Sequence, residues 1–182
     1  MKRSTLQALA FATAALLAAP GANAEIRIGV SLGTTGPGSS LGIPYKNAFQ
    51  LIPKTLGGEP VTYIILDDES KPDNAAKNAR KFVTEDKVDA IMGSNGVPSA
   101  VAMTQVAAET KTPMIALTPI PPLEGERAQW SFVVPQTTEL MMSAVVEDMK
   151  KKGIKTIGYI GFSDAWGDLV YNAMQKLAPE AG

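Results

Sequence analysis

The chain has 182 residues, 17 Lys and Arg against 18 Asp and Glu, a formal net charge of −1, and neither Cys nor His. The missing residues exclude disulfides, thiol nucleophiles, Ser-His-Asp triads and His-based zinc sites. The balanced charge, with no basic stripe, gives a nucleic-acid partner no support. The first predicted element is an export signal. Lys2 and Arg3 precede an apolar run from Leu6 to Ala19, Pro20 and Gly21 break it, and Ala22-Asn23-Ala24 supplies small residues for a peptidase. This pattern predicts a signal peptide over residues 1–24, cleaved after Ala24, and a mature chain that works outside the cytoplasm. The run falls short of the ~20 residues of a membrane-spanning helix, although an N-terminal anchor is the alternative reading. No later run reaches that length, so the mature chain is predicted to stay out of the membrane.

Strand and helix signals then alternate. Residues 26–32 read as a strand, followed by a Gly-rich loop over 33–38. Residues 44–56 read as a helix, with Pro44 in its first turn and Gly57-Gly58 ending it. A buried strand over 61–66 leads to a helix over 73–85, whose apolar face is Ala75, Ala76, Ala79, Phe82 and Val83. A strand over 88–92, a helix over 99–110 and a strand over 113–117 follow. Residues 118–123 are proline-rich and extended, and with the polar residues 124–129 they read as a surface loop. Residues 130–134 read as a strand. Residues 137–152 read as a helix with Leu140, Met141, Ala144, Val145 and Met149 on its inner face, stopped by Gly153. A strand over 155–160 and a helix over 165–177 complete the series. Apolar strands alternating with helices predict an α/β fold: a parallel sheet with helices on both faces.

Ligands of such sheets bind at the carboxyl ends of the strands, which selects the loops 33–42, 67–72, 93–99 and 118–123. Ser99 either caps its helix or joins the free N–H groups of the first turn in holding a carboxylate. Asp67-Asp68-Glu69 reads better as a solvated turn capping the next helix than as a ribose or cation site. The glycines at 29, 33, 36 and 38 do not make the dinucleotide fingerprint, and a nucleotide is rejected. Trp166 either stacks on a ligand or packs in the core, and Tyr45 and Tyr63 read as packing residues. Gly161-Phe162-Ser163 is not a nucleophile elbow, because position 165 is Ala. Asp67, Asp68 and Asp164 are the acids on which an exported hydrolase would depend, and this reading ranks last.

Four stretches taken together resemble a known family. They are Ile26-Arg27-Ile28-Gly29-Val30 with Thr35-Gly36-Pro37 and Gly42, then Leu66 to Pro72, then Gly93 to Ala102, then Ser163-Asp164-Ala165-Trp166-Gly167. In order and spacing they resemble the leucine/isoleucine/valine-type periplasmic substrate-binding proteins of ABC transporters, which have the type I periplasmic-binding fold. The resemblance implies two α/β lobes joined by three crossovers, with ligand in the cleft between them. It implies that residues 25–135 form most of lobe one and that residues 136–182 hold a crossover and the start of lobe two. The family is about twice as long, so lobe two is expected to be only begun. Ligand contacts implied by the resemblance are Leu41, Ser99 with Ala100, Thr118 and Ile120 in the fourth-strand loop, and Trp166. Two departures stand out. Ile120-Pro121-Pro122 occupies the place of small residues and a Thr or Ser, and Leu41 stands where the family usually has an aromatic ring.

The resulting expectation is a binding protein rather than an enzyme, without cofactor or metal. It would capture a branched-chain or other amino acid, or a related small carboxylate or amide, for a membrane permease. The alternative is a ligand-sensing domain of the same fold in a receptor.

Overall fold

The computed structural model describes residues 25–181, so the predicted signal peptide lies outside the described residues. Six strands form one sheet: β1 (Ile26–Leu32), β2 (Thr55–Leu56), β3 (Glu59–Asp67), β4 (Ala90–Gly93), β5 (Met114–Ala116) and β6 (Ser131–Val133). Their spatial order is β2-β3-β1-β4-β5-β6, and every neighbouring pair is parallel except β2 with β3. The helices are α1 (Ser39–Ala48), α2 (Pro72–Thr84), α3 (Val97–Thr110), α4 (Gly125–Trp130), α5 (Thr138–Lys151) and α6 (Ala165–Leu177), with a 3-10 turn over Ala178–Ala181.

This order places a topological switch point beside β1. The chain leaves β1 for β3 on one side and later returns to β4 on the other, with Val30 paired to both Ile65 and Met92. Connections that diverge in this way open a crevice at the carboxyl ends of the two strands. The helices cover both faces. On one, α2 and α3 bury Ala79, Phe82, Met103 and Val106 against Ile91 and Met114. On the other, Val30, Leu32 and Phe49 pack with Tyr45, Tyr63 and Leu117, and the Phe49 and Tyr63 rings lie 5.5 Å apart.

Several elements differ from the sequence reading. The first helix spans Ser39–Ala48 rather than residues 44–56, with Pro44 in its interior. Gly57 and Gly58, at φ +60° and +93°, do not end a helix but form the two-residue turn of the β2–β3 hairpin. Two consecutive positive φ values suit that turn, and glycine adopts them without strain. Helix α3 starts at Val97 after Gly96, with proline in its first positions, so Ser99 lies within the first turn and is not the cap. The proline-rich segment continues into helix α4 rather than a polar loop, and Trp130 ends that helix instead of opening β6.

The last third of the chain departs furthest. In α5 the buried residues are Thr138 and Val146, whereas Leu140 and Val145, expected inside, are exposed. Residues 155–160 are not a strand, and Ile160 is 97 % exposed. A strand needs a neighbour to satisfy its backbone, and no described strand lies beside this segment. Helix α6 forms as expected, capped by Asp164, and packs against α5. Among the described residues no helix is long and apolar enough to cross a membrane.

Candidate functional site

The loops after β1, β3 and β4 are bound into one unit by side chains from the strand ends. Asp67 accepts hydrogen bonds from the N–H groups of Thr34, Thr35 and Glu69 and from the Thr35 hydroxyl at 2.7 Å. Asp68, wholly buried, accepts from Ser31 Oγ at 2.9 Å, Ser94 Oγ at 2.8 Å and the Ser70 N–H at 2.9 Å. Asn95 accepts from the Gly33 N–H at 2.8 Å and donates to the Gly38 carbonyl at 3.2 Å. Ser70 accepts from the Gly38 N–H and donates to the Thr35 carbonyl, both at 2.9 Å. These bonds offset the left-handed backbone of Glu69 and Ser70, at φ +55° and +59°.

The acidic pair therefore does not cap α2, as the sequence reading had it. That helix begins after Lys71 without a side-chain cap bond. The two carboxylates are shifted in opposite directions. Burial pushes Asp68 above its ordinary value and outweighs its bonds from Ser94, Ser31 and Ser70, and the neighbouring Asp67 charge adds to the rise. For Asp67 burial also pushes upward, but the bonds from Thr35, Glu69 and Thr34 win and hold it below its ordinary value. A depressed carboxylate contributes stability that is present above the unfolded value near 3.8 and is lost as pH falls through the folded value. Urea unfolding between about pH 5 and pH 2.5 is expected to show that loss, and Asp67→Asn to flatten it.

Above this platform lies a cavity of about 710 Å³ at the switch point. One wall is apolar, with Leu41 and Tyr45 of α1, Leu117, Met141, Phe162 and Trp166. Leu41 and Tyr45 are four residues apart on one face of α1, and the Tyr45 hydroxyl donates to the Leu117 carbonyl at 3.0 Å. The polar part of the lining comes from Ser94, Asn95, Thr118 and the N-terminus of α3 with Ser99. No side chain caps α3, and Pro98 has no N–H, so the Val97 and Ser99 N–H groups are the first-turn donors at the positive end of the helix.

Of the residues singled out by resemblance, Leu41, Ser99, Thr118 and Trp166 line this cavity together. Ala100 does not. It is wholly buried in the α2–α3 core, and its N–H donates to the Gly96 carbonyl. Ile120 is also a core residue, and it faces a second cavity of about 880 Å³ between the 119–123 segment and α6. The sequence reading took Tyr45 for a packing residue, which it is, but not for a cavity residue, and it named Ser94, Asn95 and Phe162 in no binding role. For Tyr45 the available signal was its spacing of four from Leu41; for Ser94 and Asn95 it was their place in the loop already selected.

A family model described as periplasmic binding protein matches residues 25–182. An extracellular ligand-binding receptor from Rhodopseudomonas palustris HaA2 is 48 % identical with a TM-score of 0.83, over 87 % of this chain and 44 % of its own. A second such receptor from the same strain is 41 % identical with a TM-score of 0.82, over 87 % of this chain and 45 % of its own. A solute binding protein of an ABC transporter from Rhodopseudomonas palustris BisB5, in complex with 3,4-dihydroxybenzoic acid, shares the fold at 24 % identity and a TM-score of 0.77, over 87 % of this chain and 45 % of its own. The chain thus spans under half the length of these structures. No functionally curated protein matches the sequence.

Proposed function

The chain belongs to the periplasmic binding protein family, and from that premise we propose that it is an extracytoplasmic solute-binding protein that captures a small carboxylate-bearing solute for uptake by an ABC-transporter permease. One observation carries this reading: the uncapped start of α3, with Ser99 and Thr118, meets the apolar wall of Leu41, Tyr45, Phe162 and Trp166 in a single cavity. A helix N-terminus favours an anion through its free N–H groups and dipole. The aliphatic and aromatic side chains of the same cavity favour an apolar body. The solute's carboxylate lies at Val97 and Ser99, with the Thr118 hydroxyl beside it, and its apolar part lies against Leu41 and Trp166.

Residues 25–135 serve as the first lobe, and residues 136–182 carry a crossover and the beginning of the second. Closure of the two around the solute creates the form that the permease reads. Residues 1–24 direct export and are removed after Ala24, and the protein works in the periplasm. Pro119, Pro121 and Pro122 lack N–H donors, so the Thr118 hydroxyl is what the fourth-strand loop adds to the start of α3 in holding a carboxylate.

The test is calorimetry of the full-length protein with branched-chain amino acids, their amides, and aliphatic and aromatic monocarboxylates. Saturable one-to-one heat with a carboxylate is the expected result. Folded protein that binds none of the panel contradicts the proposal.

A further inference from the structure

Among the described residues that line the cavity, formal charge has one sign only. None of its described lining residues is Lys or Arg, and the chain contains no His. Two carboxylates line it, Asp68 and Asp164. Asp68 is wholly buried, and its two oxygens are engaged by three donors. Asp164 is only partly buried. It opens α6 as the N-cap, and its Oδ1 accepts from both the Trp166 and the Gly167 N–H at 3.0 Å. Trp166, two residues on, lines the same cavity, so the Asp164 charge stands beside the wall assigned to the solute's apolar part. A helix end supplies only about half a positive charge, which leaves the cap with net negative charge.

We propose that Asp164 is a specificity-determining residue that restricts the cleft to solutes with a single anionic group. This rests on the cavity being the solute cleft. The start of α3 accommodates one carboxylate. A second anionic group, on the part of the solute that reaches toward α6, meets an unneutralised aspartate and, among the described lining residues, no cation. The substrates are therefore monocarboxylates or zwitterions with an apolar body. Dicarboxylates and phosphate esters of the same shape are refused.

Capping and charge can be separated. Asparagine caps a helix about as well as aspartate, so Asp164→Asn keeps the bonds to Trp166 and Gly167 and removes the charge. The experiment is calorimetry of the full-length protein at pH 7.5 with pairs matched in shape: 4-methylbenzoate with terephthalate, and norvaline with glutamate. In the wild type the dianionic or doubly carboxylated member is expected to bind at least about a hundredfold more weakly than its partner. In Asp164→Asn that ratio is expected to fall about tenfold, with an unchanged thermal midpoint serving as the fold control. Wild-type protein that binds both members of a pair within a fewfold overturns the proposal. So does a ratio unaltered by Asp164→Asn. Folded wild type that binds neither member of any pair instead refutes the cleft reading beneath it.

Discussion

Asp68→Ala is expected to lower stability by about 3 kcal/mol, whereas Asp68→Asn costs less than about 1 kcal/mol. The alanine variant strands the hydroxyls of Ser31 and Ser94 and the N–H of Ser70, which now end on one buried carboxylate. Buried donors without an acceptor lose their hydration and gain nothing in return. Asparagine keeps an acceptor for the Ser70 N–H, and the two serine hydroxyls can turn to accept from its amide. The sign of the pH dependence follows from the raised folded value of Asp68. A raised carboxylate contributes stability that is fully present below the unfolded value near 3.8 and is lost as pH rises through the folded value. Asp68→Asn should therefore gain on the wild type between about pH 4 and pH 7. Urea unfolding of the three proteins at both pH values measures each effect, and equal losses for Ala and Asn would contradict the account of the platform.

Gly42→Ala is expected to cost about 2–3 kcal/mol and to weaken solute binding at least tenfold, roughly 1.4 kcal/mol or more. A Cβ at position 42 would lie 2.1 Å from the Gly33 carbonyl oxygen and 2.5 Å from its carbon. The obstacle is backbone, and it is pinned in place. Asn95 accepts the Gly33 N–H, and Asp67 accepts the Thr34 N–H. Relief must then come from α1, which carries Leu41 and Tyr45 into the cavity. Stability and affinity should fall together, as read by unfolding and by calorimetry with a bound carboxylate. A variant with wild-type values for both would show that α1 does not have to approach loop 33–38 this closely.

The central sheet was readable because its strands are short apolar runs with turn residues at both ends. Residues 26–32 coincide with β1, and the face Ala75, Ala79 and Phe82 of α2 is buried as its spacing required. Errors arose where one local signal fits two structures. Gly-Gly ends helices and also turns hairpins, and only the pairing of Thr55 with Pro60 decides between them. A serine before an apolar run suggests a cap, but the helix has already begun at Val97, with Pro98 in its first turn. Residues 155–160 have strand composition without a strand partner among the described residues, and composition alone supplies no ladder.

The cavity was readable in outline only. Sheet topology directs attention to the strand ends, and resemblance selected Leu41, Ser99, Thr118 and Trp166, which the fold brings together. The tying role of Asp67, Asp68 and Asn95 was hidden, because their partners in the other loops lie between 26 and 62 residues away in sequence. A solvated turn and a buried three-way clamp can carry the same Asp-Asp-Glu.

The most direct test of the cleft is the fluorescence of Trp166. This sequence has two tryptophans, and Trp130 lies at the end of α4 outside the cavity, so the emission that Trp166→Phe removes and Trp130→Phe keeps belongs to Trp166. Titration with a monocarboxylate that gives saturable heat in calorimetry is expected to shift Trp166 emission along the same one-to-one curve. Saturable heat with unchanged Trp166 emission would place the solute elsewhere and contradict the assignment of this cavity.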